Sequence, residues 1–533
     1  MTAVTVAPAS PAAAQPWLAR NPVLPGSHPD PSICRIGRDY FLITSTFEYF
    51  PGLPVYQSQD LVHWRLAGHV LDRPGQLPLD GVRPSGGLFA ATLRQAGGVC
   101  YVVGTLVDGT RETGCFVVTA AHPAGPWSDP AWLPEAPGID PSLFFDDDGR
   151  AWLTGTRAVP GGPPHRSEIW LREFDPARLR LTGPEHVLFR GALVDAAYAE
   201  GPRLLRHDGH YYLLLAEGGT EYHHAVTVAR SDRITAPYRN NPGNPVLTHR
   251  HLGRAEPVIG PGHADLVQAP DGSWHAVLLA MRTCGGTVSN LGRETFLARV
   301  TWEDGWPIIN PGAGRLLAEF PAPLPASPWP AEPPVDDFDT AALGPAWSML
   351  RTPRDEIFSL TARPGHLRLR LRPEVITEAC HPSFVGRRLQ HLGFTIRTAV
   401  DFSPAAAGEC AGLVLIRGTA HQIRLVITAS GPPGGRAVQA VVRQDGADRV
   451  LARAALAPGR AYLAVEASGT TYALRWTQQP DQWRTLATAD GRVLSPSAVG
   501  DFTGAYAGLY ASSQGRPSAS VADFDWFSYA ARD

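Results

Sequence analysis

Apolar and polar residues alternate with a period of two in short segments throughout the chain. Each segment is rich in aromatic and β-branched residues and is bounded by turn residues, as strands and hairpins are. In five places a turn glycine is followed by an aromatic residue and an apolar strand, and these glycines are Gly37, Gly98, Gly149, Gly209 and Gly272. The pattern predicts an all-β protein with an internal repeat.

The spacing of these glycines predicts the architecture of the first part of the chain. They lie 61, 51, 60 and 63 residues apart, which is enough for one four-stranded sheet in each interval. Five such units fit a five-bladed β-propeller, which we expect over residues 20–320. Helical repeats fit less well, because the alternation has a period of two rather than 3.6.

The rest of the chain divides into three segments. Residues 1–19 are rich in alanine and proline, lack the features of a signal peptide, and are predicted to be a disordered lead-in. Residues 321–334 are rich in proline and are predicted to be a linker. From residue 335 to 533 alternating strands return without the repeat, which predicts a β-sandwich.

Composition narrows the class of protein. The 533 residues carry a formal net charge of −3, so the chain has no excess of basic residues for nucleic acid or an anionic membrane. No run approaches the roughly 18 apolar residues of a membrane span. The six cysteines show no paired spacing, which favours free thiols and a cytoplasmic location. We expect no nucleic-acid or membrane partner, and formation of a homo-oligomer is left open.

One position in each repeat carries candidate chemistry. Counting back from the turn glycine to the start of the preceding strand gives Asp30, Phe89, Asp140, Glu200 and His263. Because innermost strands of a propeller converge on its axis, we expect these side chains around one pocket. Asp30 lies between two prolines, which should hold it in an extended conformation. Three carboxyl groups in one cleft raise one another's pKa, which favours a catalytic role.

Carboxyl groups that face each other across a pocket are typical of glycoside hydrolysis. In the inverting form a base and an acid stand roughly 6.5–9.5 Å apart, with a water between them. Asp30 is then the general base, Glu200 the general acid, and Asp140 the group that keeps the pKa of Glu200 raised. Two alternatives stay open: a retaining glycosidase of the fructosidase type, and a non-catalytic carbohydrate-binding protein.

The motifs around these acids are SHPDPS, GIDPSLFFDDDG and AEGPRLL, joined by STFEYFPG, GHADLV and LGRETFL. In this order and spacing they resemble glycoside hydrolase family 43. The last three motifs look like the β-xylosidase and α-L-arabinofuranosidase branch of the family. The resemblance implies a five-bladed β-propeller followed by a concanavalin-like β-sandwich. It also implies inversion, and removal of terminal β-D-xylose or α-L-arabinofuranose from short xylan- or arabinan-derived oligosaccharides.

Further residues follow from the resemblance one at a time. Arg293 matches an arginine that contacts sugar hydroxyls, and Phe47 matches a ring that lines the sugar subsite. Phe89 stands where many relatives have tryptophan, so we expect a changed pocket wall. His263 matches a histidine that in several relatives binds calcium, directly or through water. A structural calcium at the propeller axis is therefore left open, while the chemistry itself requires no cofactor.

Two more expectations concern the edges of the pocket. His28 lies two residues before Asp30 and is expected to contact the substrate. In similar enzymes a loop of the C-terminal sandwich closes one end of the pocket, and Phe502 or Tyr506 is the candidate here.

Overall fold

The computed structural model describes residues 17–109, 113–235, 237–431, 434–495 and 501–532. Strands dominate these ranges, and the only helical segments within them are two short 3-10 turns, Pro74–Gln76 and Gly491–Leu494. No helix of the described residues is long and apolar enough to cross a membrane. The predicted all-β class is confirmed.

Five antiparallel sheets with four successive strands each form the first domain. We number them blades 1 to 5 in chain order. Innermost strand first, blade 1 contains Ser32–Ile36, Asp39–Ile43, Gly52–Ser58 and Arg65–Leu71, and blade 2 contains Thr92–Ala96, Val99–Val107, Gly114–Ala120 and Ala131–Trp132. Blade 3 contains Ile139–Phe145, Ala151–Ala158, Ser167–Asp175 and Arg180–Phe189, and blade 4 contains Ala199–His207, His210–Glu217, Ala225–Ser231 and Arg239–Asn240. Blade 5 contains Val258–Gln268, Trp274–Arg282, Glu294–Glu303 and Trp306–Ile309. Two-residue strands, Gly87–Leu88 and Leu247–Thr248, extend blades 2 and 4.

The blades close into a ring. The innermost strand of each blade contacts the innermost strands of both neighbours, and that of blade 5 contacts that of blade 1. The five repeat glycines all lie between the first and second strands of their blades, with φ from +63° to +87°. This left-handed conformation suits glycine and is costly for most other residues. The predicted five-bladed propeller is confirmed.

The end of the predicted disordered lead-in, residues 1–19, is ordered. Residues 1–16 lie outside the described residues, but Leu18–Arg20 pairs in antiparallel fashion with Glu319–Pro321. The indole nitrogen of Trp17 also donates a hydrogen bond to the carbonyl of Leu324 at 3.0 Å. The sequence did not indicate this strand because three residues are too few to show an alternation.

The proline-rich segment 321–334 packs on the propeller rather than crossing open solvent. The amide of Ser327 donates to Oδ2 of Asp60 at 2.7 Å, and the Arg65 guanidinium lies 3.9 Å from the centroid of the Trp329 ring. Proline-rich composition predicts a stiff, extended chain, but it does not predict which surface holds that chain. Fixed contacts on blade 1 therefore join the two domains.

Two antiparallel sheets form the second domain and enclose its core, which includes Leu413, Leu463 and Phe524. In spatial order, the first sheet contains Phe358–Ser359, Leu367–Arg370, Val521–Ala531, Phe394–Asp401, Ala461–Ser468, Thr471–Thr477 and Arg484–Asp490, and the second contains Ser383–Arg388, Tyr506–Ser512, Cys410–Gly418, His421–Ala429, Arg436–Gln444 and Ala447–Leu456. Val335–Asp336 also pairs with Val521–Ala531, and Met349–Leu350 reaches across to pair with Tyr49–Phe50 of the propeller. The predicted β-sandwich is confirmed.

The backbone of a sandwich loop packs directly against the backbone of blade 5. A Cβ atom on Gly504 would lie 2.2 Å from the carbonyl oxygen of Leu291. The amide of Gly504 donates to Oγ of Ser27 at 3.1 Å, and the amide of Ala505 donates to the carbonyl of Asn290 at 3.1 Å. This docking fixes the position of the residues that precede Gly504.

We expect Gly504→Ala to displace the loop, because the added methyl group overlaps the Leu291 carbonyl. Overpacking of this kind costs about 1–3 kcal/mol, so the midpoint of thermal or urea unfolding should fall. Gly344→Ala is the matched control, since no atom of the described residues lies within 4 Å of a Cβ atom at that position. Equal midpoints for the two variants would contradict the close approach.

Candidate active site

A cavity of about 220 Å³ is lined by residues at or near the innermost strands, by residues of loops between other strands, and by one residue of the sandwich. It brings together seven of the eight residues that the sequence predicted for the site, namely Asp30, Phe47, Phe89, Asp140, Glu200, His263 and Arg293. The eighth residue, His28, does not line this cavity. A space of this size suits one monosaccharide rather than a polysaccharide chain.

A left-handed residue stands just before or within the innermost strand in four blades. The φ angles are +56° for Asp30, +55° for Asp140, +59° for Gly201 and +51° for His263. Asp30 is therefore not extended, contrary to the expectation from its flanking prolines, because the chain bends there and aspartate tolerates this region better than most residues. Glu200 stands one residue before the common position rather than on it, yet its side chain still lines the cavity.

The neighbours of Asp30 hold its carboxylate in the charged form. Oδ1 accepts a charge-assisted hydrogen bond from Arg293 at 2.9 Å, and Oδ2 accepts one from Oγ of Ser45 at 2.7 Å. Burial by itself raises the pKa of Asp30, but Arg293, His263 and the Ser45 hydroxyl outweigh it and bring this pKa below its ordinary value. A buried, ionised carboxylate can accept a proton from water.

The pKa of Glu200 shifts in the opposite direction. Burial, followed by the charges of Asp140 and Asp30, raises the pKa of Glu200 well above its ordinary value. Burial and Asp30 also raise the pKa of Asp140, although Arg203 and the Gly201 amide, which donates to Oδ2 of Asp140 at 3.0 Å, favour its charged form. No donor among the described residues bonds to the Glu200 carboxyl group, so the proton belongs on Glu200.

His263 stands between the base and a buried arginine. Its Nδ1 atom lies 3.6 Å from Oδ1 of Asp30, and its Nε2 atom lies 3.3 Å from a terminal nitrogen of Arg203. Because a guanidinium can only donate, Nε2 is the acceptor and the ring proton is on Nδ1, facing Asp30. Burial is the main reason that the pKa of His263 falls to about 3, so the ring is neutral.

These contacts test the calcium ion that the resemblance left open at His263. Calcium takes six to eight oxygen ligands, and no group of three or more candidate ligands occurs in the part of the chain that the structure describes. The Arg203 guanidinium occupies the side of the ring that an ion on Nε2 would need. Direct binding of calcium by that nitrogen does not fit these residues.

Three phenylalanine rings form one wall of the cavity. The centroids of Phe47 and Phe89 are 5.6 Å apart, those of Phe89 and Phe502 are 5.6 Å apart, and those of Phe47 and Phe502 are 5.8 Å apart. Phe502 comes from the sandwich, and its carbonyl accepts a hydrogen bond from Arg293 at 3.2 Å. The second domain therefore supplies part of the cavity wall.

The structure corrects two expectations about residues near the cavity. His28 is buried, its Nε2 atom lies 2.7 Å from the hydroxyl of Tyr56, and its carbonyl accepts from Oγ of Thr295 at 2.7 Å. The contact with Tyr56 holds the ring in the wall of a different cavity, so the structure does not place His28 where the sequence predicted it, in the active-site cavity. Of the two candidates for closing the pocket, Tyr506 stacks on Tyr49 at 3.8 Å instead, which leaves Phe502.

Four further lining residues, all from loops of blade 4, were not singled out from the sequence. They are Tyr198, Gly219, Thr220 and Glu221. Tyr198 directly precedes the first strand of blade 4, and the other three follow its second strand. The hydroxyl of Tyr198 bonds with Nδ1 of His165, which comes from another loop. Loops of this kind lie outside the repeat, so no pattern in the sequence marked them.

An ionised carboxylate and a protonated carboxyl group thus line one small cavity with aromatic walls. That combination of a base, an acid and room for one sugar ring defines a glycoside hydrolase. Residues 19–307 match the model of glycosyl hydrolases family 43, and residues 335–530 match that of the beta xylosidase C-terminal concanavalin A-like domain. The chain belongs to glycoside hydrolase family 43, whose members invert the anomeric centre.

Named relatives cover nearly the whole chain. A xylosidase/arabinosidase of Butyrivibrio fibrisolvens is 41% identical over 96% of this chain and 99% of its own length. A non-reducing end alpha-L-arabinofuranosidase of Bacteroides ovatus is also 41% identical, over 96% of this chain and 95% of its own. The crystal structure of a xylan beta-1,4-xylosidase from Bacillus halodurans has a TM-score of 0.90 at 37% identity, covering 96% and 99% of the two chains. The predicted family and enzyme class are confirmed, and the retaining and non-catalytic alternatives are not supported.

We expect Ser45→Ala to move the acidic limb of the pH profile of kcat/KM to higher pH. The hydroxyl donates to Asp30 and lowers its pKa; without it the base gains a proton, and loses activity, at a higher pH. The shift should be roughly half to one pH unit, which corresponds to one hydrogen bond to a charged group.

The matched control is Ser142→Ala, since Ser142 is buried and its hydroxyl has no partner among the described residues. Its profile should overlay that of the wild type. If the Ser45→Ala profile does so as well, the assigned control of the Asp30 pKa is wrong.

Proposed function

We propose that this protein is an inverting, exo-acting pentosidase that releases terminal β-D-xylose, α-L-arabinofuranose or both from short xylan- or arabinan-derived oligosaccharides. The observation that carries the proposal is the opposite shift of two pKa values, lowered for Asp30 and raised for Glu200, within one cavity. Only this order of protonation gives a base and an acid ready to work together near neutral pH.

The reaction follows from these two protonation states. Asp30 takes a proton from a water molecule, which attacks the anomeric carbon, while Glu200 gives its proton to the departing glycosidic oxygen. Asp140 stays charged beside Glu200 and keeps the pKa of that group raised until the proton is transferred. Arg293 holds the base and faces the cavity, where it can also donate to the hydroxyls of the sugar.

The shape of the cavity supports exo action on short chains. Phe502 and its two phenylalanine neighbours bound one side, and the whole space is about 220 Å³. One terminal sugar can enter such a space, whereas an internal residue of a polymer would require an open cleft. The wider groove of an endo-acting enzyme is therefore not proposed.

The names of two relatives support the choice of sugars. One is a xylosidase/arabinosidase and the other an arabinofuranosidase. Terminal β-D-xylopyranose and α-L-arabinofuranose can present similar hydroxyl patterns to one pocket, so a single site can serve both. We also propose that the enzyme works inside the cell on imported oligosaccharides, which its six free thiols support.

Turnover of nitrophenyl β-D-xyloside and nitrophenyl α-L-arabinofuranoside tests the proposal, with proton NMR to identify the anomer that is released first. We expect hydrolysis of at least one substrate, and α-xylose as the first product from the β-xyloside. Release of β-xylose first, or no turnover of either substrate, would sink the proposal.

Two carboxamide variants separate the roles of the acids in the same assay. Asp30→Asn should lose roughly 10²–10⁴-fold on every substrate. Glu200→Gln should lose far less on the nitrophenyl glycosides than on xylobiose, because nitrophenolate leaves without protonation. Asp148→Asn, in an exposed hairpin turn of blade 3, is the control. Equal losses of Glu200→Gln on both kinds of substrate would contradict its role as the acid.

We further propose that hydrolysis needs no metal ion, since Arg203 and Arg293 already supply positive charge beside His263 and Asp30. Enzyme treated with EDTA and then dialysed should keep its rate and its unfolding midpoint. A loss that added Ca²⁺ restores would contradict this, and would point to calcium bound through water.

A further inference from the structure

A second cavity, of about 390 Å³, lies where blade 1, the proline-rich segment and the sandwich meet. It shares no lining residue with the active-site cavity. Its wall contains three large aromatic residues and three arginines, namely Tyr56, Trp64, Trp329, Arg65, Arg387 and Arg388. Rings combined with a few charged groups are typical of ligand sites.

Arg388 is the most unusual residue of this wall. Its side chain is buried, with the residue only 8% exposed, and its Nε atom donates to the carbonyl of Ser27 at 2.8 Å. The two terminal nitrogens bond to no group of the described residues, and no carboxylate in those ranges lies within ion-pair distance. The guanidinium faces the Tyr506 ring, 5.5 Å from its centroid, but a buried charge without a counter-ion is destabilising, so an anion in the cavity would be favoured.

The other charges of the wall do not restore the balance. Glu332 is the one carboxylate among the lining residues, and it already pairs with Arg387 at 3.3 Å. Arg65 bonds through two of its nitrogens to the neutral side chain of Gln57, at 3.1 and 2.7 Å. The cavity therefore has an excess of positive charge, carried by Arg65 and Arg388.

Trp329 gives the same cavity an aromatic surface. One face of its ring is covered by Arg65, at 3.9 Å from the centroid. Its indole nitrogen is buried and has no hydrogen-bond partner in the part of the chain described. A buried indole N–H group usually finds an acceptor, but this nitrogen has almost no accessible surface, so a bound sugar would contact the ring of Trp329 rather than its N–H group.

We propose that this cavity is a second sugar site that binds an acidic monosaccharide unit, with its ring against Trp64 and Trp329 and its anionic group on Arg388. A guanidinium binds carboxylate and phosphate groups by paired hydrogen bonds. The anionic group can be the carboxylate of a uronic acid or the phosphate of a sugar phosphate. The inference does not depend on the proposed hydrolysis, because it concerns binding alone.

Isothermal titration of the full-length protein with four compounds tests this site. D-Glucuronate and D-glucose 6-phosphate carry both the ring and the charge, D-glucose carries only the ring, and acetate carries only the charge. We expect at least one acidic sugar to bind roughly tenfold or more tightly than both controls, and the tighter of the two identifies the anionic group. Glucose or acetate binding as tightly as the acidic sugars would overturn the proposal. Failure of both acidic sugars to show saturable binding would also overturn it.

Two variants place the binding. Arg388→Gln should lower the affinity for the acidic sugar roughly tenfold or more, and Trp329→Ala, at a half-buried position of the proline-rich segment, should lower it several-fold. Trp306→Ala is the matched control, since Trp306 also lies under an arginine, at 4.4 Å, but belongs to blade 5. Wild-type affinity in Trp329→Ala would overturn the proposal even if Arg388→Gln does not fold. Rates on the nitrophenyl glycosides should stay within about twofold in Trp329→Ala.

Discussion

The ion pair between Arg293 and Asp30 is the interaction on which the rest of the site depends. It lets a buried carboxylate stay charged, and that charge in turn helps to keep a proton on Glu200. The same guanidinium also donates to the carbonyl of Phe502. One side chain from blade 5 therefore connects the base of blade 1, the acid of blade 4 and the aromatic wall contributed by the second domain.

Strain and charge are concentrated at the same few residues. Asp30, Asp140 and His263 all have left-handed backbone conformations, which non-glycine residues adopt at a cost of about 1–3 kcal/mol. Two of them carry carboxyl groups that are almost fully buried. Such residues persist because the blades on either side fix the bend in the chain. The packing of the ring thus offsets the free-energy cost of the strained backbone and the buried carboxyl groups.

The sequence predicted the fold and the site well in the segments that belong to the internal repeat. The turn glycines predicted the number of blades, and counting back from them identified all three acids. The count placed Glu200 on the common position of the repeat, whereas in the structure Gly201 occupies that position and Glu200 precedes it by one residue. Counting residues from a turn glycine gives a position on a strand but no dihedral angle. The left-handed backbone of Asp30 and the orientation of the His28 side chain were therefore not predicted. Tyr198 and Glu221 lie in loops without a period. The choice of Phe502 over Tyr506 depended on long-range packing between domains, which no local pattern records.

The phenylalanine that the sandwich places in the cavity has a consequence for how such an enzyme can evolve. A recombination event that exchanges the second domain also exchanges a wall of the substrate site, so the two domains cannot be inherited as independent modules. Substitutions in the sandwich far from any sugar can alter which pentose is accepted, simply by moving the loop that ends in Gly504. Natural selection on substrate choice therefore acts on both domains, and a search for specificity mutations confined to the propeller would leave out the sandwich loop that carries Phe502.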